Sequence, residues 1–304
     1  MGARFRWAAI AAAVAFLGVA GAIAAAQPAP LSFLDLLARQ RPAATQRVAY
    51  GPLASQFGEL WLPAGSGRLR VVILIHGGCW SALLPGLEIM DYMAEDLRAH
   101  GNAVWNIEYR RLGEPASGYP GSFDDIASAV DYLKTLGKTF ALDLGNVVAV
   151  GHSAGGLFAL WAAARDKLPA ESLLRRQAPL RIKGVVTLAG IADLKTYHDR
   201  GPGACSEKFA IDLLVAATAR WPQDVFADTS PAALLPLGVP QIVISGAADP
   251  VVPAPFGRFY AQLAAAAGDK VEEMTLPNAG HFELIDPQSA AFDSVRSAIE
   301  KLQK

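Results

Sequence analysis

Val147-Val148-Ala149-Val150-Gly151-His152-Ser153-Ala154-Gly155 is an apolar run that breaks without a spacer into Gly-x-Ser-x-Gly. The residues after it, Gly156-Leu157-Phe158-Ala159-Leu160-Trp161-Ala162-Ala163-Ala164, read as a mostly buried helix. A serine on so sharp a strand-to-helix turn takes strained backbone angles, and the small residues Gly151 and Gly155 let the helix come close to the strand. The hydroxyl is then exposed above the sheet, while the amide of Ala154 and the start of the helix point toward developing negative charge. An ordinary serine in a Gly-rich turn would carry the same pentapeptide, so its meaning depends on what the other strand ends offer.

Working outward, the chain alternates from Arg70 onward. Val71 to Ile75 is continuously apolar and β-branched, as expected of a strand covered on both faces of a parallel sheet. A helix from about Leu87 to Ala99, a strand from Ala103 to Ile107 and a helix from about Phe123 to Leu136 lead to the Ser153 turn. Beyond it come strands at Gly184 to Leu188 and Gln241 to Ser245, a helix from Pro255 to Ala267 and a strand from Lys270 to Leu276. A closing helix is expected to begin near Pro287, capped by Asp286, with Phe292, Val295, Ile299 and Leu302 as its buried stripe. Arg47 to Tyr50 and Phe57 to Leu62 suit antiparallel edge strands. The sum is one doubly wound α/β layer, which places ligands at the carboxyl ends of the strands.

Three of those strand ends carry chemistry. His76-Gly77-Gly78-Cys79-Trp80 follows the strand at Val71 to Ile75, and consecutive glycines expose unobstructed amides; Gly77 and Gly78 are therefore candidate oxyanion donors beside Ala154. Cys79 and Trp80, next to that loop, are candidate pocket residues. Of the histidines, His76 is read as ordering the glycine loop, His152 as diverging from its neighbour Ser153, His100 as a helix end and His198 as part of an insertion. His281, after the last strand, is left as the base. The acid is Asp249, in Ser245-Gly246-Ala247-Ala248-Asp249-Pro250, where it can fix the imidazole tautomer. Glu283 is expected to point elsewhere. Arg110 is read as bracing the loop behind the turn through Asp124 or Asp125, and Glu108 is left unassigned.

Composition bounds the partners. With 52% hydrophobic residues among 304, the chain can build a large core, and Lys+Arg 27 against Asp+Glu 28 gives no basic surface for nucleic acid. No cluster has metal-ligand spacing and the chemistry asks for no cofactor. Met1 to Arg6 is basic, Trp7 to Ala26 is uncharged, and Ala24-Ala25-Ala26 precedes Gln27. Residues 1–26 therefore read as a signal peptide cleaved after Ala26, giving an exported protein, or alternatively as a retained membrane anchor over residues 7–26. Residues 27–44 read as a linker and a short amphipathic helix whose Leu34, Leu37 and Ala38 face the body, and residues 45–304 as the catalytic domain. Cys79 and Cys205 are the only cysteines; export would allow them to pair, and spacing alone leaves the pair open.

These residues together resemble an α/β-hydrolase of the esterase group that includes BD-FAE-type acetyl-xylan and feruloyl esterases, kynurenine-formamidase-like proteins and hormone-sensitive-lipase-like carboxylesterases. Besides the Ser153 turn, the resemblance rests on His76 to Trp80, Tyr109-Arg110-Arg111-Leu112, Ser230-Pro231-Ala232-Ala233-Leu234-Leu235 and Gly246 to Pro253. Cys79 departs from it, standing where the lipase-like branch has a third glycine. The resemblance implies an eight-stranded, mostly parallel sheet with helices on both faces, and ester hydrolysis through a Ser153–His281–Asp249 triad and an acyl-enzyme. It also implies a small lid inserted at about residues 193–228, containing a helix from Ser206 to Ala219, with the loop Pro115 to Ser122 as a second wall. Trp80 and the lid aromatics would make a compact apolar entrance for a small-molecule ester of short acyl chain. The same constellation would serve an arylformamidase, a prolyl-oligopeptidase-type peptidase or a catalytically silent binding protein.

Overall fold

The computed structural model describes residues 30–65 and 67–304, so the expected leader, residues 1–26, lies outside the described residues. Eight strands form one sheet in the order β1-β2-β4-β3-β5-β6-β7-β8. β1 (Gln46–Ala49) and β2 (Phe57–Trp61) pair antiparallel at one edge, and β2 pairs antiparallel with β4 (Ala103–Ile107). From β4 onward every pairing is parallel, through β3 (Leu69–Ile75), β5 (Leu142–His152), β6 (Gly184–Leu188), β7 (Gln241–Gly246) and β8 (Val271–Leu276).

The central strands are apolar along most of their length because both faces of the sheet are covered. All five residues from Val71 to Ile75 are buried, as are those of β4 and β6. Each such Val, Ile or Leu contributes about 1.5–3 kcal/mol relative to leaving it in water. Helices α1 (Phe33–Leu37), α2 (Asp91–Ala99), α3 (Gly121–Leu136), α4 (Ala154–Ala163), α5 (Leu194–Arg200), α6 (Glu207–Leu214), α7 (Ala254–Ala266) and α8 (Phe292–Gln303) complete the molecule. α4 is buried from Ala154 to Ala162, in keeping with a sequence apolar on every side.

Four expectations need correction. The last helix begins at Phe292, not near Pro287, because Asp286 does not cap it; the Asp286 carboxylate is held by a bidentate pair with Arg39 and accepts from the Gln288 amide. In α1 the buried leucine is Leu36, while Leu34 and Leu37 are exposed, so the five-residue helix turns another face inward than its spacing suggested. The insertion between β6 and β7 holds two helices, α5 and a shorter α6, in place of one from Ser206 to Ala219. The helix expected from Leu87 opens as a 3-10 turn over Leu87–Met90 before α2.

Candidate active site

Ser153 stands between β5 and α4 with φ 55° and ψ −123°, a conformation that costs about 1–3 kcal/mol for a residue with a side chain. The turn persists because its neighbours fix it. The Ser153 amide donates to Leu188 O at 2.9 Å, and its carbonyl accepts from Gly156 N at 2.9 Å and Ile191 N at 3.1 Å. The flanking glycines are there for closeness: a Cβ at Gly155 would lie 2.2 Å from Ile75 O, and one at Gly151 would lie 2.2 Å from Gly155 O. Any side chain at Gly155 would push α4 off the end of β3.

Two neighbouring loops meet at the far side of the sheet. Ala248 N donates to Ala279 O at 2.9 Å, joining the loop after β7 to the loop after β8. This brings His281 to Asp249, and the His281 Nδ1–H donates to Asp249 Oδ2 at 2.7 Å. Asp249 Oδ1 accepts the amides of Val251 at 2.7 Å and Val252 at 3.0 Å, so both carboxylate oxygens are engaged and the side chain cannot swing. Both side chains are nearly sealed, at 5% exposure for His281 and 0% for Asp249. A buried carboxylate opposite Nδ1 fixes the tautomer that leaves Nε2 as acceptor.

Ser153 and His281 line one cavity of about 220 Å³. Gly78 and Cys79 border it on the loop after β3, and Gly77 lies so close to the turn that a Cβ there would meet Ser153 Cβ at 2.8 Å. Its apolar walls are Phe33, Leu84, Pro85, Ile89, Val251 and Phe282.

The glycine loop is braced as the sequence suggested. His76 Nδ1 lies 2.7 Å from Gly77 O and its Nε2 lies 2.9 Å from Glu108 Oε1, with Tyr109 stacked on its ring at 4.5 Å. That gives Glu108 its place: burial would raise its carboxyl, but His76 and Arg111 beside it hold it down to about 2. Behind the turn, Arg110 pairs bidentately with Asp125, and Asp124 goes to Arg176. Glu283 accepts from the Leu31 and Gly280 amides and so points away from the imidazole.

Trp80 is corrected from a pocket residue to a core one. It is 0% exposed, and its indole N–H donates to Ala154 O at 3.2 Å, supporting α4 from beneath. The insertion aromatics are not the entrance either. Tyr197 is buried with its hydroxyl on Val251 O, and Phe209 and Trp221 are 70% and 83% exposed. The loop from Pro115 to Ser122 meets α6 instead of the cavity, with Gly118 packed on Leu213 O. From the insertion, Ala204 borders the cavity, next to Cys205, which is disulfide-bonded to Cys79 across 126 residues.

His152 also departs from expectation. It lines the cavity, its ring lies 4.6 Å from that of His281, and its Nε2–H donates to the His281 carbonyl at 3.0 Å. Deep burial, and then the nearness of His281, drive its imidazole well below the ordinary range, which the bond to the carbonyl only partly opposes. His152 is thus a neutral strut under the His281 loop. Sequence reasoning missed this, along with the walls at Phe33, Leu84, Pro85 and Ile89; only Phe282, beside His281, had a local signal.

The BD-FAE protein-family model matches residues 59–260. Among solved structures the chain is similar to esterase B from Lactobacillus rhamnosis HN001, with 19% identity, a TM-score of 0.73, and 89% of this chain and 90% of that chain covered. It is similar to a truncated carbohydrate esterase from gut microbiota, with 20% identity, a TM-score of 0.71, and 87% and 99% covered. A third likeness is to the native Est2 esterase of Thermogutta terrifontis, with 18% identity, a TM-score of 0.67, and 86% and 92% covered. At these identities the likeness is one of fold. No curated protein matches the chain.

Proposed function

Because this chain belongs to the BD-FAE family and is a carboxylesterase-like hydrolase, we propose that it cleaves short-chain carboxylic esters through an acyl-enzyme on Ser153. The observation that carries the reading is the convergence of Ser153 and His281 on one cavity while Asp249 holds His281 Nδ1 at 2.7 Å. Ser153 Oγ attacks the ester carbonyl carbon as His281 Nε2 takes its proton, and Asp249 stabilises the imidazolium that forms. The oxyanion is met by backbone amides of Gly77, Gly78 and Ala154, the last at the N-terminus of α4. Collapse expels the alcohol, which receives the proton from His281. Water, deprotonated by the same imidazole, then attacks the acyl carbonyl and frees the acid and Ser153.

Substrate size follows from the cavity. At about 220 Å³ it lies below the roughly 300–1,000 Å³ of sites that enclose drug-sized ligands, which supports short acyl groups, acetyl to hexanoyl. The preference is graded, since each methylene changes discrimination by only about 1–3 kcal/mol.

The test is a comparison of kcat/KM on p-nitrophenyl esters of increasing chain length, acetylated xylan fragments and N-formylkynurenine, with fluorophosphonate labelling alongside. Labelling and burst kinetics should vanish in Ser153→Ala with the fold intact. His281→Ala should lose roughly 10⁴-fold or more in kcat, and His152→Ala far less. Full turnover by the Ser153 variant would sink the assignment. A profile rising steadily to palmitoyl esters would refute the small cavity, and a clear maximum on N-formylkynurenine would make the enzyme an arylformamidase.

A further inference from the structure

The segment from Pro30 to Arg39 precedes the first strand by several residues, yet it is fastened to the loop that carries His281. One carboxylate makes the junction: Glu283 accepts the Leu31 amide on Oε1 at 2.6 Å and the Gly280 amide on Oε2 at 2.9 Å. Gly280 has no side chain at this point because a Cβ there would meet Pro30 Cβ at 3.0 Å and Glu283 Oε2 at 2.8 Å.

Three residues after Glu283, Asp286 is gripped by Arg39 at 2.6 and 2.9 Å. The Tyr92 hydroxyl donates to the carbonyls of Leu36 at 2.7 Å and Arg39 at 3.2 Å, and Leu36 is fully buried. A capping box between Ser32 and Asp35 starts α1 at Phe33 and so fixes the direction in which Phe33 leaves the backbone.

That direction is into the catalytic cavity. Phe33 borders it together with Ser153 and His281, and its ring stands edge-on to Phe282, the residue after His281, at 6.1 Å. The other apolar walls, Leu84, Pro85, Ile89 and Val251, lie on the loops after β3 and β7 and the 3-10 turn over Leu87–Met90. Among the described residues, Phe33 is the one wall supplied from ahead of the sheet, and it is pinned at both ends of α1. Its ring is therefore held in place as part of the apolar wall, and an apolar wall of this kind suits the hydrocarbon of an acyl group.

We propose that Phe33 is the residue that limits acyl-chain length in this enzyme, an inference that rests on the ester-hydrolase reading of Ser153. Removing the ring lengthens the cavity without touching a reacting group, and a larger ring shortens it.

The experiment compares Phe33→Ala, Phe33→Trp and the unaltered protein on p-nitrophenyl acetate, butyrate, octanoate and decanoate, with thermal midpoints recorded in parallel. Since Phe33 is only half-buried, both variants are expected to fold. Phe33→Ala should raise the octanoate-to-acetate ratio of kcat/KM by about tenfold or more. The gain should come through a lower KM for octanoate. Phe33→Trp should lower the butyrate-to-acetate ratio. A ratio that stays within about twofold in both folded variants overturns the proposal, as does an equal fall on all four esters. Running Ser153→Ala beside them separates the two readings: if that variant still turns over acetate, the assignment of the hydrolysis to Ser153 fails, whereas a dead Ser153→Ala with unmoved Phe33 ratios refutes the role of Phe33 alone.

Discussion

Glu108 shows how much of this site is held from one step behind it. Its two carboxylate oxygens reach His76, the amide of Tyr109 and the amide of Leu87, so a single buried charge ties the end of β4 to the glycine loop after β3. Burial works against the charge, and His76 and Arg111 overcome it, bringing the carboxyl from 4.5 to about 2. The sign of the linkage follows. A carboxylate depressed in the folded state contributes stability that is fully present above its unfolded value and is lost as pH falls through the folded one. The window is therefore about pH 4.5 down to about 2, and the contribution at neutral pH is about 3 kcal/mol. Glu108→Gln should be less stable than the unaltered protein at pH 7, with the difference shrinking across that window in urea unfolding. A difference that stays constant with pH would show that Glu108 acts through shape alone.

At the scale of elements, the insertion between β6 and β7 is attached to the site at two points. The Tyr197 hydroxyl of α5 donates to Val251 O at 2.7 Å on the loop carrying Asp249, and Cys205, before α6, is bonded to Cys79 on the glycine loop. We read the insertion as a lid whose inner edge, Ala204, is kept at the cavity by that bond. Replacing both cysteines by serine should cost about 2–5 kcal/mol of stability, since a long closed loop is released in the unfolded chain. KM for small esters should rise more than kcat falls, because the reacting groups are untouched while one wall is loosened. Reductant should reproduce the KM effect in the unaltered protein and leave the double variant unchanged. If kcat falls and KM does not move, the bond positions the glycine loop and not the lid.

For the whole molecule, the disulfide bears on where the enzyme works. Cross-links of this kind persist in oxidising compartments, and the chain opens with a basic start, an uncharged stretch and a small-residue site at Ala24 to Ala26. We propose that the protein is exported and cleaved after Ala26, which leaves Phe33 and its tethers in the mature enzyme. Intact mass of protein recovered from its native host should correspond to a chain beginning at Gln27. A mature chain beginning at Met1 and fractionating with membrane would favour the anchor.

What the sequence by itself determined was whatever local chemistry writes directly. A continuous, largely β-branched run named the strand at Val71, and mostly apolar runs named those at Ala103, Val147, Gly184 and Gln241, because strands buried on both faces have little polar side to show. Gly151, Ser153 and Gly155 marked the strained turn, and Asp249 and His281 followed from their places on the loops after the next strands. Tertiary structure alone decided the walls. Phe33, Leu84, Ile89 and Phe282 come from distant segments, and no period or spacing records that their side chains converge. The sequence could not show whether Trp80 turned toward the cavity or into the core, or whether Cys79 met Cys205. Both depended on how the loop after β3 packs against α4 and the insertion, and such contacts are settled only when the chain closes on itself.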